Sequence, residues 1–258
     1  MLALRPMANP PQGEILRKLA HRIDEIERRY RPPRADFSPG IPALAELLPG
    51  GRLPAGALVE LLGAEGAGVW SMALIMARVA CGQQRALVIV DGQGSFYPPA
   101  VAAWGIDWRR FLVVRPITPA DVQAVIDQSL RCAAVGAVIG VCPQLRTREF
   151  RRLQLAAESG HGVGFLLRPE SARRLPSFAA LRLRVAPLAS TDVCRRLHVE
   201  VVRSRACPLS PQRERGRGEG TPEGRSLILE MNDATGDVRV PAGLAAAAAA
   251  ARPARAAE

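Results

Sequence analysis

A short apolar run, Leu58 to Leu62, leads directly into Gly63-Ala64-Glu65-Gly66-Ala67-Gly68 and then into a helical pattern that continues to about Gly82. A strand that feeds a helix through a glycine turn is half of a parallel β-α-β unit, so this stretch constrains the fold more than any other. The spacing, glycine, four residues, glycine, is that of a phosphate-binding loop. In such a loop the backbone N–H groups close around the phosphates, a lysine reaches the β and γ phosphates, and a hydroxyl holds Mg²⁺. Val69 and Trp70 stand where the lysine and the serine or threonine belong, and the chain's only lysine is Lys18. The residues therefore predict a nucleotide-loop frame, Gly63, Gly66 and Gly68, from which the charge is gone. A plain glycine-rich turn is the alternative reading.

The rest of the chain alternates in the same style. Ala86 to Val90 reads as a buried parallel strand ending at Asp91, followed by a helix around Pro99 to Trp104 and a strand at Phe111 to Val114. Thr118-Pro119 starts a helix over Ala120 to Cys132, Ala137 to Val141 is a buried strand, Arg148 to Ser159 is helical, and Gly162 to Leu167 is again a strand. This order predicts an α/β fold with a mostly parallel central sheet covered by helices on both faces. After Ala179 the pattern changes to alternation, Leu181, Leu183, Val185 and then Leu197, Val199, Val201. These read as half-exposed antiparallel strands extending one edge of the sheet.

Five segments follow. Residues 1–35 hold an amphipathic helix, Gly13 to Tyr30, which either lies on its own domain or docks a partner. Residues 36–203 form the core, 204–225 a disordered basic loop, 226–243 a terminal hairpin, and 244–258 a disordered alanine-rich tail. A net charge of +11 and a pI near 10.9 suit acidic partners, nucleic acid above all. A GC-rich genome writes the same arginine-rich composition anywhere, which halves the weight of that argument. Five cysteines without a C-x-x-C pair predict neither metal site nor disulfide framework. With no apolar leader and no run near the ~18 apolar residues of a membrane span, the expectation is a cytoplasmic protein.

From about Asp36 to Pro208 the order of features resembles the RecA family and, more closely, its ImuA branch of translesion-synthesis accessory proteins. The resemblance rests on Phe37-Ser38-Pro39-Gly40, the leucine-rich Ile41 to Leu48, and Gly51-Arg52-Leu53-Pro54-Ala55-Gly56 before the strand and glycine loop. Phe165-Leu166-Leu167-Arg168-Pro169, with Ala179-Ala180-Leu181-Arg182-Leu183 downstream, is similar to the ImuA pattern. It implies a RecA-like P-loop NTPase fold.

The departures carry the functional expectation. The family's water-activating glutamate is replaced by Gln93, which can orient water but cannot take its proton. The strand that should end in a Mg²⁺-binding aspartate ends in Cys142-Pro143. Each lost charged contact is worth about 1.5–3 kcal/mol. No catalytic residue, cofactor or metal is therefore expected. Arg203 and Arg205 match two family residues that reach a neighbouring subunit's ATP, where a trans-acting cation is worth roughly 10³–10⁵ in rate. Two arginines after a strand in an arginine-rich chain are the plain alternative. The loops that line the family's DNA path hold Arg146, Arg148, Arg168, Arg173 and Arg174, suited to weak, non-specific phosphate contact or to a solvated basic face.

What the resemblance implies is a non-catalytic scaffold of SOS-induced translesion synthesis. Its partners would be RecA, an ImuB-like Y-family polymerase homologue and an error-prone replicative-type polymerase, with DNA as a further contact. The competing readings are a RecA- or KaiC-like ATPase in DNA repair and a SulA-like inhibitor of cell division.

Overall fold

The structure, a computed structural model, describes residues 36–99, 104–190, 194–204 and 224–241. The helix expected over Gly13 to Tyr30, most of that over Pro99 to Trp104, nearly all of the basic loop with Arg205, and the alanine-rich tail lie outside the described residues. In chain order the elements are α1 (Pro42–Leu47), β1 (Leu58–Leu62), α2 (Val69–Cys81), β2 (Ala86–Val90), β3 (Phe111–Val114) and α3 (Pro119–Arg131). There follow β4 (Val135–Val141), α4 (Thr147–Gly160), β5 (Val163–Arg168), β6 (Leu181–Leu188), β7 (Cys194–Ser204), β8 (Ser226–Asn232) and β9 (Val238–Arg239).

The nine strands among the described residues form one sheet in the order β3-β2-β4-β5-β1-β6-β7-β8-β9. Every residue of β1 and β5 is buried, and apart from Glu60 and Arg168 both strands are free of charged residues. Helix α3 begins where its cap dictates. Thr118 Oγ accepts from the Asp121 backbone N–H at 3.2 Å, and the Asp121 carboxylate accepts from the Thr118 N–H at 3.3 Å.

The antiparallel edge that the alternation predicts is present, since β6 and β7 pair antiparallel, but its junction with the parallel sheet lies at β6. β6 runs parallel to β1, with Val59 opposite Leu181 and Leu62 opposite Arg184, and the antiparallel part starts only at β7. Alternation records which residues face the core but says nothing about strand direction. The terminal pair β8 and β9 continues the same sheet by antiparallel pairing to β7.

Helices α3 and α4 cover one face of the parallel sheet, packing Ile126, Leu130, Phe150 and Leu153 onto Leu58, Val88, Val138 and Leu166. The other face belongs to α2, whose buried residues, Val69, Met72 to Ala77 and Cys81, surround it on most sides. A helix apolar nearly all round must be enclosed. Trp104 helps to enclose it: its indole N–H donates to the Asp233 carbonyl at 2.8 Å, and its carbonyl accepts from Arg78 Nη1 at 2.7 Å. The segment before β3 is thus tied both to α2 and to the β8–β9 turn, although those strands lie at opposite ends of the sheet order.

Candidate functional site

The glycine loop joins β1 to α2 as the sequence predicts. Gly66 (φ +76°) and Gly68 (φ +91°) take the left-handed conformation, in which successive N–H groups turn toward one side. Gly63 and Gly68 meet close neighbours, whereas Gly66 at the exposed tip of the loop has open space around it. A Cβ on Gly68 would lie 2.7 Å from Leu197 Cδ2, and one on Gly63 would lie 2.7 Å from the Val185 carbonyl and 2.8 Å from Val69 Cγ1. Val69 is buried in the α2 core cluster. Trp70 packs on the same cluster, its ring 5.4 Å from Phe96, which in turn lies 5.6 Å from Phe111. The two positions that should carry a cation and a hydroxyl instead bury apolar surface.

The positions that should handle water and Mg²⁺ are equally committed elsewhere. Asp91, at the end of β2, is fully buried; its oxygens accept from the Ser95 and Phe96 backbone N–H groups, both at 3.1 Å. It holds the turn carrying Gln93, which is exposed. Cys142 ends β4 with 3 % exposure, and burial pushes its thiol up to about 12, more than the nearby Arg168 guanidinium draws it down. Its carbonyl accepts from Arg168 Nε at 3.1 Å. Among the described residues no group of three or more His, Cys, Asp or Glu side chains could hold a metal ion.

A feature that sequence reasoning missed sits beside Cys142. Glu60, in the middle of β1, is fully buried and lies between two arginines, with Oε1 2.5 Å from Arg168 Nη1 and Oε2 2.5 Å from Arg182 Nε. The first contact is an aligned hydrogen bond, whereas the second is an ion contact that lacks good N–H alignment. Burial lowers the Arg182 pKa, the Glu60 carboxylate opposes that, and Arg168 and Arg203 lower it further. Arg182 also donates to the carbonyls of Ala172, Arg173 and Leu175, holding residues 169–180 as they cross from the end of β5 to the start of β6. The signal was available: a lone carboxylate inside Leu-Val-Glu-Leu-Leu, buried with its strand, requires cationic partners.

The five arginines predicted for DNA contact therefore divide. Arg168 is corrected: it is 2 % exposed and belongs to the Glu60 cluster, so no phosphate reaches it. Arg173 is exposed but paired with Glu200 at 2.8 Å, and Arg174 is exposed on the same turn. Arg146 and Arg148 are exposed at the start of α4, where Glu149 accepts from the Arg146 backbone N–H at 2.8 Å. Arg203 is half-buried on β7 opposite Arg182, which itself lies opposite Glu60 of β1. No described helix is long and apolar enough to cross a membrane.

No family model matches the chain. It is similar to the protein RecA of Crocosphaera subtropica, at 33 % identity over 94 residues. That match covers 36 % of this chain and 27 % of the relative, so the chain spans about a quarter of the RecA relatives it matches. It is similar over a longer stretch to the protein ImuA of Caulobacter vibrioides, at 29 % identity over 180 residues covering 64 % of this chain and 74 % of the relative. The crystal structure of the RadB recombinase superposes with a TM-score of 0.59 at 16 % identity, covering 80 % of this chain and 99 % of that one. At that identity the likeness establishes a RecA-like fold.

Proposed function

We propose that this chain, a RecA-like protein homologous to the Caulobacter proteins named ImuA, is a non-hydrolysing accessory scaffold of SOS-induced translesion DNA synthesis. The reading rests above all on the glycine loop: the fold keeps its strand, left-handed glycines and helix, yet Val69 is buried in the core and Trp70, half-buried, packs against it. A lysine at residue 69 would have to leave that core to reach a phosphate. The buried thiol of Cys142 and the neutral Gln93 support the same conclusion, since neither can hold Mg²⁺ or take a proton from water at neutral pH.

The partners in this reading are RecA, an ImuB-like Y-family polymerase homologue and an error-prone replicative-type polymerase. Arg203 and Arg205 are the residues through which the chain would meet an ATP-bearing RecA protomer. Arg203 is half-buried on β7 and its charge opposes that of the buried Arg182, so an external anion there would be compensating. DNA phosphates would be met by Arg146, Arg148 and Arg174. Arg146 and Arg148 stand at a helix N-terminus, where cations are disfavoured by about 0.3–1 kcal/mol each, so an external anion there is compensating.

The test is affinity capture of the full-length protein from DNA-damaged cells, with Arg203→Ala/Arg205→Ala beside the unaltered chain. The reading expects RecA and a polymerase-like partner in the capture, and loss of RecA with the double variant. Recovery of neither removes the scaffold reading. Recovery of RecA unchanged by the double variant removes the role of the two arginines.

A further inference from the structure

At the C-terminal end of α2, away from the glycine loop, lies a cavity of about 270 Å³ into which Arg78, Arg85 and Arg110 converge with Asp107 as the one carboxylate. Three guanidiniums against one carboxylate leave this cavity cationic. The arginines are held by the backbone: Arg78 Nη1 by the Trp104 carbonyl at 2.7 Å, Arg110 Nη1 by the Gln83 carbonyl, and Arg85 by four carbonyls of residues 133, 135, 160 and 161. Carbonyls fix a guanidinium without neutralising it; Asp107 offsets Arg110 in part, its Oδ2 lying 3.7 Å from Arg110 Nε. Arg78 Nη2 and Arg110 Nη2 have no hydrogen-bond partner among the described residues, which leaves preorganised donors for an incoming anion. Leu87 and Ile106 supply apolar wall.

The cavity is somewhat smaller than the roughly 300–1,000 Å³ of sites that swallow a whole organic ligand, so it suits a phosphate group whose remainder stays outside. Between the lining residues Asp107 and Arg110 the chain carries an exposed aromatic side chain. Trp108 is 73 % exposed on the three-residue turn Trp108–Arg110, the same turn that places Arg110 in the cavity wall. Arg109 lies 5.7 Å from the centre of the indole ring, and the Asp107 carboxylate accepts from the Arg109 N–H at 3.0 Å, fixing the turn. An exposed tryptophan backed by a cation is the arrangement on which nucleobases stack.

We infer that this edge of the molecule binds a nucleotide phosphate, with the phosphate in the Arg78–Arg85–Arg110 cavity and its base stacked on Trp108. The site is separate from the glycine loop and from the loops after β4 and β5. It does not depend on the scaffold reading. A free nucleotide and the phosphorylated end of a single strand share this chemistry.

The experiment is fluorescence anisotropy with a labelled oligothymidylate, with and without a terminal phosphate, competed by thymidine monophosphate. The proteins compared are the full chain and its Trp108→Ala, Trp108→Phe and Arg110→Ala variants. Thermal unfolding confirms that each variant is folded. The inference expects the terminal phosphate to tighten binding several-fold. Trp108→Ala should weaken it about tenfold while Trp108→Phe largely restores it, and Arg110→Ala should erase the advantage of the terminal phosphate. Equal competition by thymidine monophosphate assigns the site to free nucleotide; competition by the strand end alone assigns it to the strand. Binding that is absent, or unchanged in Trp108→Ala and Arg110→Ala, overturns the inference.

Discussion

Replacing Glu60 by glutamine removes the carboxylate that two buried arginines share. The side chains of Glu60 and Arg168 are wholly buried and that of Arg182 is 5 % exposed, so water cannot take over the lost charge. Arg168 would keep its bond to the Cys142 carbonyl, and Arg182 its three bonds to residues 172, 173 and 175, but both cations would lie in low dielectric without a counter-ion. Breaking a buried pair from one side costs about 3–5 kcal/mol. That is a large share of the 5–15 kcal/mol typical of a domain's whole stability. At roughly 2–4 °C per kcal/mol for a protein of this size, the unfolding midpoint should fall by about 6–20 °C. Thermal unfolding by circular dichroism measures the shift, and hydrogen exchange should show the Ala172 and Leu175 amides losing protection together. A midpoint within about 2 °C of the parent would refute the reasoning, because the two arginines would then have to be satisfied without Glu60.

Three further outcomes are expected. The Glu230 carboxyl is held below its usual range first by hydrogen bonds from Arg196 and then by Arg239, with burial opposing. Its stabilisation of the β7–β8–β9 edge is therefore present above the ordinary carboxylate value of 4.5 and lost as pH falls through the depressed folded value; denaturation at pH 7 and below 4.5 should show a smaller decline for Glu230→Gln. Thr118→Ala removes the cap of α3 and should cost about 0.5–2 kcal/mol in urea unfolding, with the slope unchanged. Cys81 and Cys142, whose thiols burial pushes up to about 12, should resist iodoacetamide in the native protein at pH 8 while exposed Cys132 reacts, as mass spectrometry would read directly.

Strands β2 and β4 were legible because burial on both faces writes them as apolar runs, β1 and β5 because the one charged residue in each leaves the run recognisable, β3 as a short apolar run although it is only part-buried, and α3 because Thr118-Pro119 announces its start. The direction of β6 was not legible, since alternation of Leu181, Leu183 and Val185 is the same for parallel and antiparallel neighbours. The candidate site was half legible. The glycine frame and its missing charges stand in the sequence, whereas the burial of Arg168 does not, because in a chain with 35 basic residues one arginine after a strand looks like any other. Its partner was the clue: Glu60 is the one charged residue in β1.

Whether the glycine loop holds nucleotide decides between a scaffold and an ATPase. Calorimetric titration of the full-length protein with Mg-ATP, followed by a phosphate-release assay, measures this. With Val69 buried in the core, Trp70 packed against it and Cys142 at the metal position, the expected result is no heat of binding attributable to the loop, unchanged by Gly68→Ala, and no phosphate released. Saturable Mg-ATP binding that Gly68→Ala abolishes, accompanied by phosphate release, would contradict the central claim and return the chain to the ATPases.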